Sequence, residues 1–167
     1  MAQSVDADTF RHAMAQLAAP LTVVTCYGPD GWPIGLTVNA VSSLSVQPPL
    51  VLMCLNRTNQ SHDAVVTADR LCMHVLEPGQ EEIALRFAAP LDRFAGQRIH
   101  HGEAPELLDV GVRLILTPDG TRDGGDHTIL LGRVVSATVP ANGGGGLVWH
   151  RRGPANALPP PPSAAAA

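Results

Sequence analysis

The chain has 167 residues, the size of one domain, and 45% of them are hydrophobic whereas only 16% are charged. A formal net charge of -4 with no basic stripe argues against nucleic-acid binding, because phosphate backbones are bound by clustered basic residues. Neither a membrane-length apolar run nor a signal sequence is evident, so we expect a cytoplasmic protein without membrane contact.

The N-terminal part predicts one helix followed by a β-hairpin. Apolar residues recur at helical spacing from Asp8 to Ala19, with Asp8 as the candidate cap, and Pro20 ends this helix. Residues 21–27 are largely β-branched and predict a strand, which the turn sequence GPDGWP follows. Apolar and small polar residues then alternate imperfectly over residues 34–46, which predicts one long bent strand or two strand halves.

The central part alternates short strands and short helices. Residues 50–55 are apolar throughout, as expected of a strand buried on both faces, and residues 71–76 predict a second buried strand. Helices are predicted over residues 61–68 and 80–87. The stretch 89–105 is irregular and rich in histidine.

The C-terminal part predicts strands over residues 107–117 and 126–139, separated by PDGTRDGG, and a last short strand at LVWH. Residues 154–167 are rich in Pro and Ala and predict a disordered tail, which leaves residues 1–153 as the folded domain. Strands outnumber the short helices and no βαβ array is present. The sequence therefore favours a mainly β fold, a closed or partly closed antiparallel barrel.

Cysteine and histidine spacing predicts neither a disulfide framework nor a metal site. Cys26, Cys54 and Cys72 lie singly in apolar runs, which indicates buried thiols, and the paired spacing of zinc or redox sites is absent from the sequence. His100 and His101 are adjacent, which is poor geometry for two ligands of one metal ion.

Small polar residues interrupt the apolar pattern between residues 37 and 45. Thr37, Asn39, Ser42, Ser43 and Ser45 alternate with apolar or small neighbours, and buried hydroxyl and amide groups need hydrogen-bond partners. One interpretation is a strand with one solvated face. The other is a surface for a flat heteroaromatic ligand, whose edge needs donors and acceptors.

Two further polar stretches are candidate ligand contacts. The run Asn56 to Ser61 follows a strand and precedes a helix, where free amides, hydroxyls and Arg57 suit an anion such as phosphate, unless they simply cap the helix. His127 stands in GGDHT at the start of a strand, where it either contacts a second ligand or caps that strand together with Asp126.

In order and spacing, these stretches resemble the flavin reductase family, the small NAD(P)H-dependent FMN or FAD reductases that serve two-component flavin monooxygenases. The resemblance extends from about Phe10 to Gly153. It is carried by FRHAMAQLAAPLTVVT, GLTVNAVSSLSVQPPLVLMCLNRTNQS, HVL, QEEIALRFA, DRFAG and GDHTILLGRV.

The resemblance implies an FMN-binding split β-barrel with short peripheral helices, working as a homodimer with the flavin close to the subunit interface. His127 would approach the nicotinamide or its diphosphate and is the candidate catalytic residue. By motif position, the resemblance assigns Thr37, Val38, Asn39, Ala40, Ser42 and Ser43 to the flavin ring and ribityl chain, Asn56, Arg57, Asn59 and Ser61 to the phosphate end, and Phe87 and Arg93 to the pocket border.

The implied reaction is hydride transfer from C4 of NADH or NADPH to N5 of FMN or FAD, with the reduced flavin passing to a partner monooxygenase. The chain has His74 where the family commonly has Asn, and Asn59 where it commonly has Ser, and its GVRLILTPDG lacks the usual aromatic and Cys. These departures bear on flavin and nicotinamide preference. The alternatives are a flavin binder without turnover, a reductase of another acceptor such as a corrinoid, and a dimeric scaffold that binds no flavin.

Overall fold

The computed structural model describes residues 4–90, 92–141 and 145–158, and strands dominate this part of the chain. The helices are α1 (Ala7–Met14), α2 (His62–Thr67) and α3 (Glu81–Ala88). The strands are β1 (Ala19–Pro20), β2 (Thr22–Tyr27), β3 (Pro33–Val38), β4 (Val41–Ser45), β5 (Leu50–Asn56), β6 (Leu71–Val75), β7 (Ile99–His101), β8 (Pro105–Leu107), β9 (Val112–Gly124), β10 (His127–Thr138), β11 (Gly146–His150) and β12 (Gly153–Ala157).

The main sheet has seven antiparallel strands in the order β3-β2-β6-β9-β10-β5-β4, and it curls on itself. Its two edge strands, β3 and β4, are separated in sequence by Asn39 and Ala40 alone. Because a residue spans at most about 3.6 Å, the end of β3 and the start of β4 lie within about 11 Å of each other. Ala40 continues the pairing of β4 with β5, since the Cys54 amide donates to the Ala40 carbonyl at 2.9 Å. The predicted mainly β fold is confirmed.

The apolar core lies on both sides of β2. Val24 packs with Met53 and Leu130 inside the curled sheet, and all three are fully buried. Val23, on the opposite face of β2, packs with Phe87 of α3 and with other residues outside the sheet. Full burial of a side chain of this size contributes about 1.5 to 3 kcal/mol. The buried side chains on the two faces of β2 therefore help to hold both layers of the fold together.

Smaller elements cover the outside of the barrel. β1, β11 and β12 form a three-stranded sheet in the order β1-β11-β12, and β7 pairs with β8. Leu147 of β11 donates its amide to the Leu76 carbonyl at 2.9 Å, which fixes the small sheet to the end of β6. Within the described residues, no helix is both long enough and apolar enough to cross a membrane.

The first helix differs from the prediction at both ends. Asp6, not Asp8, caps α1, and its carboxylate accepts from the Asp8 and Thr9 amides at 3.0 and 2.9 Å. The helix ends at Met14, and Pro20 belongs to β1 rather than to a helix terminus. Asp6 has the extended backbone of a cap, whereas Asp8 already lies in the first turn.

Three strand predictions also need correction. β5 alternates between buried and partly exposed positions, because only the side chains of Val51, Met53 and Leu55 point into the barrel. β9 continues through PDGTRDG to Gly124, so the turn before His127 is much shorter than expected. The histidine-rich stretch predicted to be irregular contains β7.

The C-terminal boundary differs as well. Residues expected in the disordered tail pair with β11, since Leu147 lies opposite Asn156 and Trp149 opposite Pro154. Pro154 to Ala157 therefore belong to the fold as part of β12. Residues 159–167 of the predicted tail lie outside the described residues.

Cys26 and Cys72 are buried free thiols, as predicted, and burial raises their pKa values to about 11 and about 12. Cys54 is also free but only partly buried, because it lies on the outer face of β5.

His74 joins three strands from a position with no solvent exposure. Its Nδ1 donates to the Val23 carbonyl at 3.0 Å, and its Nε2 accepts from the Leu107 amide at 2.9 Å. These partners require the neutral ring with its proton on Nδ1. Burial disfavours the charged ring and lowers the pKa of His74 to about 4.

Candidate active site

The junction between β3 and β4 exposes a short polar stretch at one rim of the barrel. Asn39 and Ala40 are exposed where the chain passes from one sheet edge to the other. Ser42 and Ser43 are exposed on the edge strand β4. Val38 points into the core at 5% exposure, so this residue offers a ligand only its backbone.

A cleft of about 230 Å³ lies beside this junction, between β3, α3 and the β11–β12 hairpin. Thr37 and Asn39 line one side, Leu85 of α3 a second, and the cross-strand pair Trp149 and Pro154 a third. The Thr37 hydroxyl donates to the Ala84 carbonyl at 2.6 Å, which holds α3 against the strand. The cleft combines an aromatic, largely apolar wall with a polar edge, which suits a flat heteroaromatic ring.

The end of β5 brings the second polar stretch next to the β9–β10 hairpin. Asn56 lies directly opposite His127 in the strand register, and the Arg57 amide donates to the Asp126 carbonyl at 3.1 Å. The Arg57 guanidinium pairs with Asp123. Asn56 and His127, 71 residues apart in sequence, thus share one rim.

The loop after β5 is ordered by its own side chains. The Asn56 carboxamide accepts from the Thr58 amide and hydroxyl, both at 2.8 Å, and the Asn59 carboxamide accepts from the Ser61 amide at 2.9 Å. Both asparagines therefore shape the loop. Their remaining amide groups and the exposed Arg57 are the parts of this loop that can bind a ligand.

His127 is held by its neighbour. Its Nδ1 lies 2.7 Å from the Asp126 carboxylate, and about a third of its side chain is exposed. The hydrogen bond and the charge of His127 lower the pKa of Asp126, which remains an acceptor. With Nδ1 directed at Asp126, Nε2 is the ring atom available to a second ligand.

His62 and Thr128 complete this rim and were not expected from the sequence. The first residue of α2, His62, places Nε2 2.9 Å from the Thr128 hydroxyl and Nδ1 2.7 Å from the Asp63 carboxylate. Arg57 Nε donates to the same hydroxyl at 3.4 Å. The only sequence signal was a histidine directly after a polar run, since the contact to Thr128 joins residues 66 apart.

A third group, Ser61, Phe87 and Arg93, meets around Gly35 of β3. Arg93 donates to the Gly35 carbonyl, to the Ser61 hydroxyl at 2.6 Å and to the Ala89 carbonyl at 2.9 Å. Desolvation lowers the pKa of this half-buried arginine. The group joins β3, the start of α2 and the segment after α3 in one network.

Phe87 and Ser61 have almost no accessible surface. Phe87 is fully buried and meets Phe94 edge to face at 5.1 Å, while Ser61 is 4% exposed and hydrogen-bonded to Gly35 and Arg93. Contact with a ligand would need movement of either side chain. Their observed contacts support the rim from behind.

The three groups form one strip along the rim. Ala40 bonds to Cys54, and Asn56 and His127 lie two residues farther along β5, about 7 Å at the usual rise of a strand. Gly35, which holds the third group, is two residues before Thr37 on β3. A ligand can therefore place a ring at Thr37 to Ser43 and an anionic end near Arg57.

Comparison with known proteins identifies relatives of this chain. The profile of the family described as flavin reductase like domain matches residues 14–157. The chain is 41% identical over 137 residues to "Flavin reductase (NADH)" from Kitasatospora aureofaciens, which covers 79% of this chain and 72% of that protein.

Two further proteins extend the comparison. The reductase component of a 4-nitrophenol 4-monooxygenase/4-nitrocatechol 2-monooxygenase from Rhodococcus opacus is 34% identical over 151 residues, covering 89% of this chain and 80% of that protein. The structure of a Streptomyces globisporus NADH:FAD oxidoreductase in complex with NAD and FAD fragments superposes with a TM-score of 0.83 at 30% identity. That match covers 98% of this chain and 99% of the other.

Proposed function

The chain belongs to the flavin reductase family and is an NAD(P)H:flavin oxidoreductase, and we propose that the strip along the barrel rim is where it aligns its two cofactors. The observation that carries this proposal is the meeting of the Thr37 to Ser43 junction, the Arg57 loop and His127 at one rim. When bound together, nicotinamide and FMN or FAD supply the hydride transfer from C4 to N5 themselves. The chain contributes their alignment.

The flavin ring and ribityl chain occupy the junction. Thr37, Asn39 and Ala40 meet the ring where β3 ends, and Ser42 and Ser43 of β4 offer hydroxyls to the ribityl chain. Val38 contributes its backbone only, in keeping with its burial.

The phosphate end of the flavin lies at the loop after β5. Arg57 provides the charge there, and Asn56 and Asn59 provide amide donors. Thr128 and Asp123 hold the half-exposed guanidinium at the edge of this loop, and a phosphate there would share Arg57 with the Asp123 carboxylate or displace it. Ser61, Phe87 and Arg93 support this end through the Gly35 network.

His127 binds the nicotinamide substrate. Its Nδ1 is fixed by Asp126, which leaves Nε2 to hydrogen-bond the carboxamide or the diphosphate. His127 is thus a binding and orienting residue, because hydride transfer between the two cofactors requires no proton from it.

We further propose that the working unit is a homodimer. The cleft of about 230 Å³ is smaller than the roughly 300 to 1,000 Å³ typical of sites for ligands of this size, so a second wall is needed. Leu44, Val46 and Val135 are largely exposed and lie near one end of the neighbouring strands β4, β5 and β10. An apolar surface of this kind is typical of subunit contacts.

A partner monooxygenase uses the reduced flavin. The similarity of the chain to the reductase component of a monooxygenase supports this assignment. We also propose a cytoplasmic location, where the three thiols would stay reduced.

Steady-state oxidation of NADH in air, with FMN or FAD added at increasing concentration, tests the proposal. We expect a rate that rises and saturates with added flavin, and NADPH run in parallel measures nicotinamide preference. Oxidation without added flavin would indicate a bound prosthetic group instead of a flavin substrate.

Two other outcomes support the alternatives. Tight flavin binding without NADH oxidation would favour a binder without turnover or a reductase of another acceptor, such as a corrinoid. Absence of both binding and oxidation would favour a scaffold. Size-exclusion chromatography with light scattering tests the homodimer separately, and a monomeric mass in an active sample would contradict it.

A further inference from the structure

Most arginines of the chain are already paired with carboxylates. Seven of the 11 form such pairs within the described residues, namely Arg11, Arg57, Arg70, Arg86, Arg98, Arg113 and Arg133. Arg93 is bound in the Gly35 network, and Arg122 donates to the Thr121 carbonyl. Arg151 and Arg152 are adjacent and exposed, and neither has a carboxylate within 4.0 Å in the described parts of the chain.

These two arginines form the turn between β11 and β12. His150 and Gly153 are the last paired residues, so Arg151 and Arg152 make a two-residue loop with φ values of 49° and 67°. Such a turn normally uses Asn-Gly, because a left-handed backbone costs a bulky L-residue about 1 kcal/mol or more. The two arginines therefore make the hairpin less stable than Asn-Gly would, and they place two guanidinium groups next to each other in the chain.

The last turn of α1 forms the other wall of a cavity at this hairpin. The Arg151 amide donates to the Ala15 carbonyl at 2.8 Å, which holds the hairpin tip against the helix. The cavity has a volume of about 430 Å³ and is lined by His12, Ala15, Gln16 and both arginines. The C-terminal end of α1 carries about half a negative charge. The two guanidinium groups carry two positive charges, so the net charge around the cavity is positive and suits an anion.

The position of the hairpin relates this cavity to the cleft described above. Trp149 and Pro154, which line the cleft with Thr37 and Asn39, are separated from the arginine turn by one cross-strand pair. At about 3.3 Å per residue, the turn lies roughly 7 Å beyond the aromatic wall of the cleft. A nicotinamide stacked on a flavin ring in this cleft would bring one of its own phosphates within reach of the turn.

From this arrangement we propose that Arg151 and Arg152, with His12, bind a phosphate of the nicotinamide dinucleotide. This inference rests on the proposed function, which already places the flavin phosphate at Arg57 on another part of the rim. The arginine turn therefore serves the second substrate. Planar guanidinium groups bind phosphate oxygens in pairs, which suits either the diphosphate or the 2′-phosphate of NADPH.

The test replaces the turn without weakening the hairpin. In the full chain, the double variant Arg151→Asn, Arg152→Gly has the sequence that this turn prefers, so it should fold at least as stably as the wild type. We expect its KM for the nicotinamide to rise on the order of tenfold, with the flavin KM unchanged. Arg122→Gln, which removes an exposed arginine of β9, is the matched control and should alter neither KM.

Comparison of NADH with NADPH identifies the phosphate. Loss with both nicotinamides indicates the diphosphate, and loss with NADPH alone indicates the 2′-phosphate. Calorimetry with ADP and 2′,5′-ADP provides a readout without turnover. The double variant should bind the compound that carries the recognised phosphate more weakly than the wild type does, and adenosine should bind both proteins equally.

The proposal is overturned if the folded double variant keeps wild-type KM values for both nicotinamides and wild-type binding of both adenosine phosphates. Failure of the proposed function looks different. In that case the wild type itself would oxidise neither NADH nor NADPH with added flavin.

Discussion

Replacement of His74 by asparagine should remove part of the stability loss that the protein undergoes in mild acid. The neutral ring is required in the fold, because Nε2 accepts from the Leu107 amide while Nδ1 donates to Val23. A proton on Nε2 would place two donors against each other in a site with no solvent exposure.

The size of the effect follows from the pKa of His74, which burial lowers from 6.5 to about 4. Between these values the unfolded chain binds a proton that the native chain does not, so the free energy of unfolding rises with pH. Stability is therefore complete above about pH 6.5 and is lost progressively down to about pH 4. At about 1.4 kcal/mol per pH unit, His74 accounts for about 3 kcal/mol of this loss.

Urea unfolding followed by circular dichroism at several pH values between 8 and 4 measures this contribution. At pH 8 the His74→Asn variant should have a lower free energy of unfolding than the wild type, because asparagine cannot keep both hydrogen bonds of the imidazole ring. Its free energy of unfolding should decline less steeply toward pH 4. His100→Asn, at an exposed position of β7, is the control and should keep the wild-type slope. Equal slopes for wild type and His74→Asn would refute the reasoning.

Other predictions concern packing, the nicotinamide and the thiols. Gly35→Ala should lower the free energy of unfolding by about 1 to 3 kcal/mol in urea, because its Cβ would lie 2.8 Å from the buried Phe87 ring. His127→Ala should raise the KM for NADH more than the KM for flavin in steady-state kinetics, since Nε2 faces the second ligand. Cys26 and Cys72 should react with a disulfide reagent only after unfolding, because burial raises both pKa values.

These predictions have their own controls. Gly146→Ala, on a strand position where an added Cβ meets no atom of the described residues within 4 Å, should leave stability nearly unchanged. Loss of stability equal to that of Gly35→Ala would mean that the Phe87 contact is not the cause. Equal damage to flavin and nicotinamide KM in His127→Ala would remove its assigned role, and rapid labelling of all three native thiols would contradict the burial of Cys26 and Cys72.

Elements with a strong local pattern could be predicted from the sequence. β2 and β6 are short apolar runs between turn residues, and α2 and α3 differ from prediction by one residue at each end. The pairing order could not be predicted, because β3 and β4, neighbours in the chain, become opposite edges of the curled sheet. Long-range closure of this kind leaves no local signal.

Local signals were misleading where tertiary pairing overrode them. PDGTRDGG has the composition of a loop, yet pairing with β10 extends β9 through most of it. Pro154 to Ala157 look like part of a low-complexity tail, yet β11 provides them with a partner strand. In both cases a neighbouring strand supplies hydrogen bonds that composition cannot reveal.

The sequence could identify several residues of the candidate site, but it could not show what each of them does there. The sequence indicated Asn56, Arg57 and His127, and the strand register brings them together. The burial of Phe87 and Ser61 depends on contacts with Gly35, which lies far away in sequence. The Trp149 wall was missed for the same reason, because a lone aromatic on a short strand has no pattern that points to a ligand.

The most direct test of the central claim is anaerobic rapid mixing of the protein and flavin with NADH, followed by the absorption band of oxidised flavin. We expect the band to disappear only when protein is present, and more slowly when the transferred C4 hydrogen is replaced by deuterium. Such a result would show protein-dependent hydride transfer to flavin. Persistence of the band, or its loss at the same rate without protein, would contradict the account.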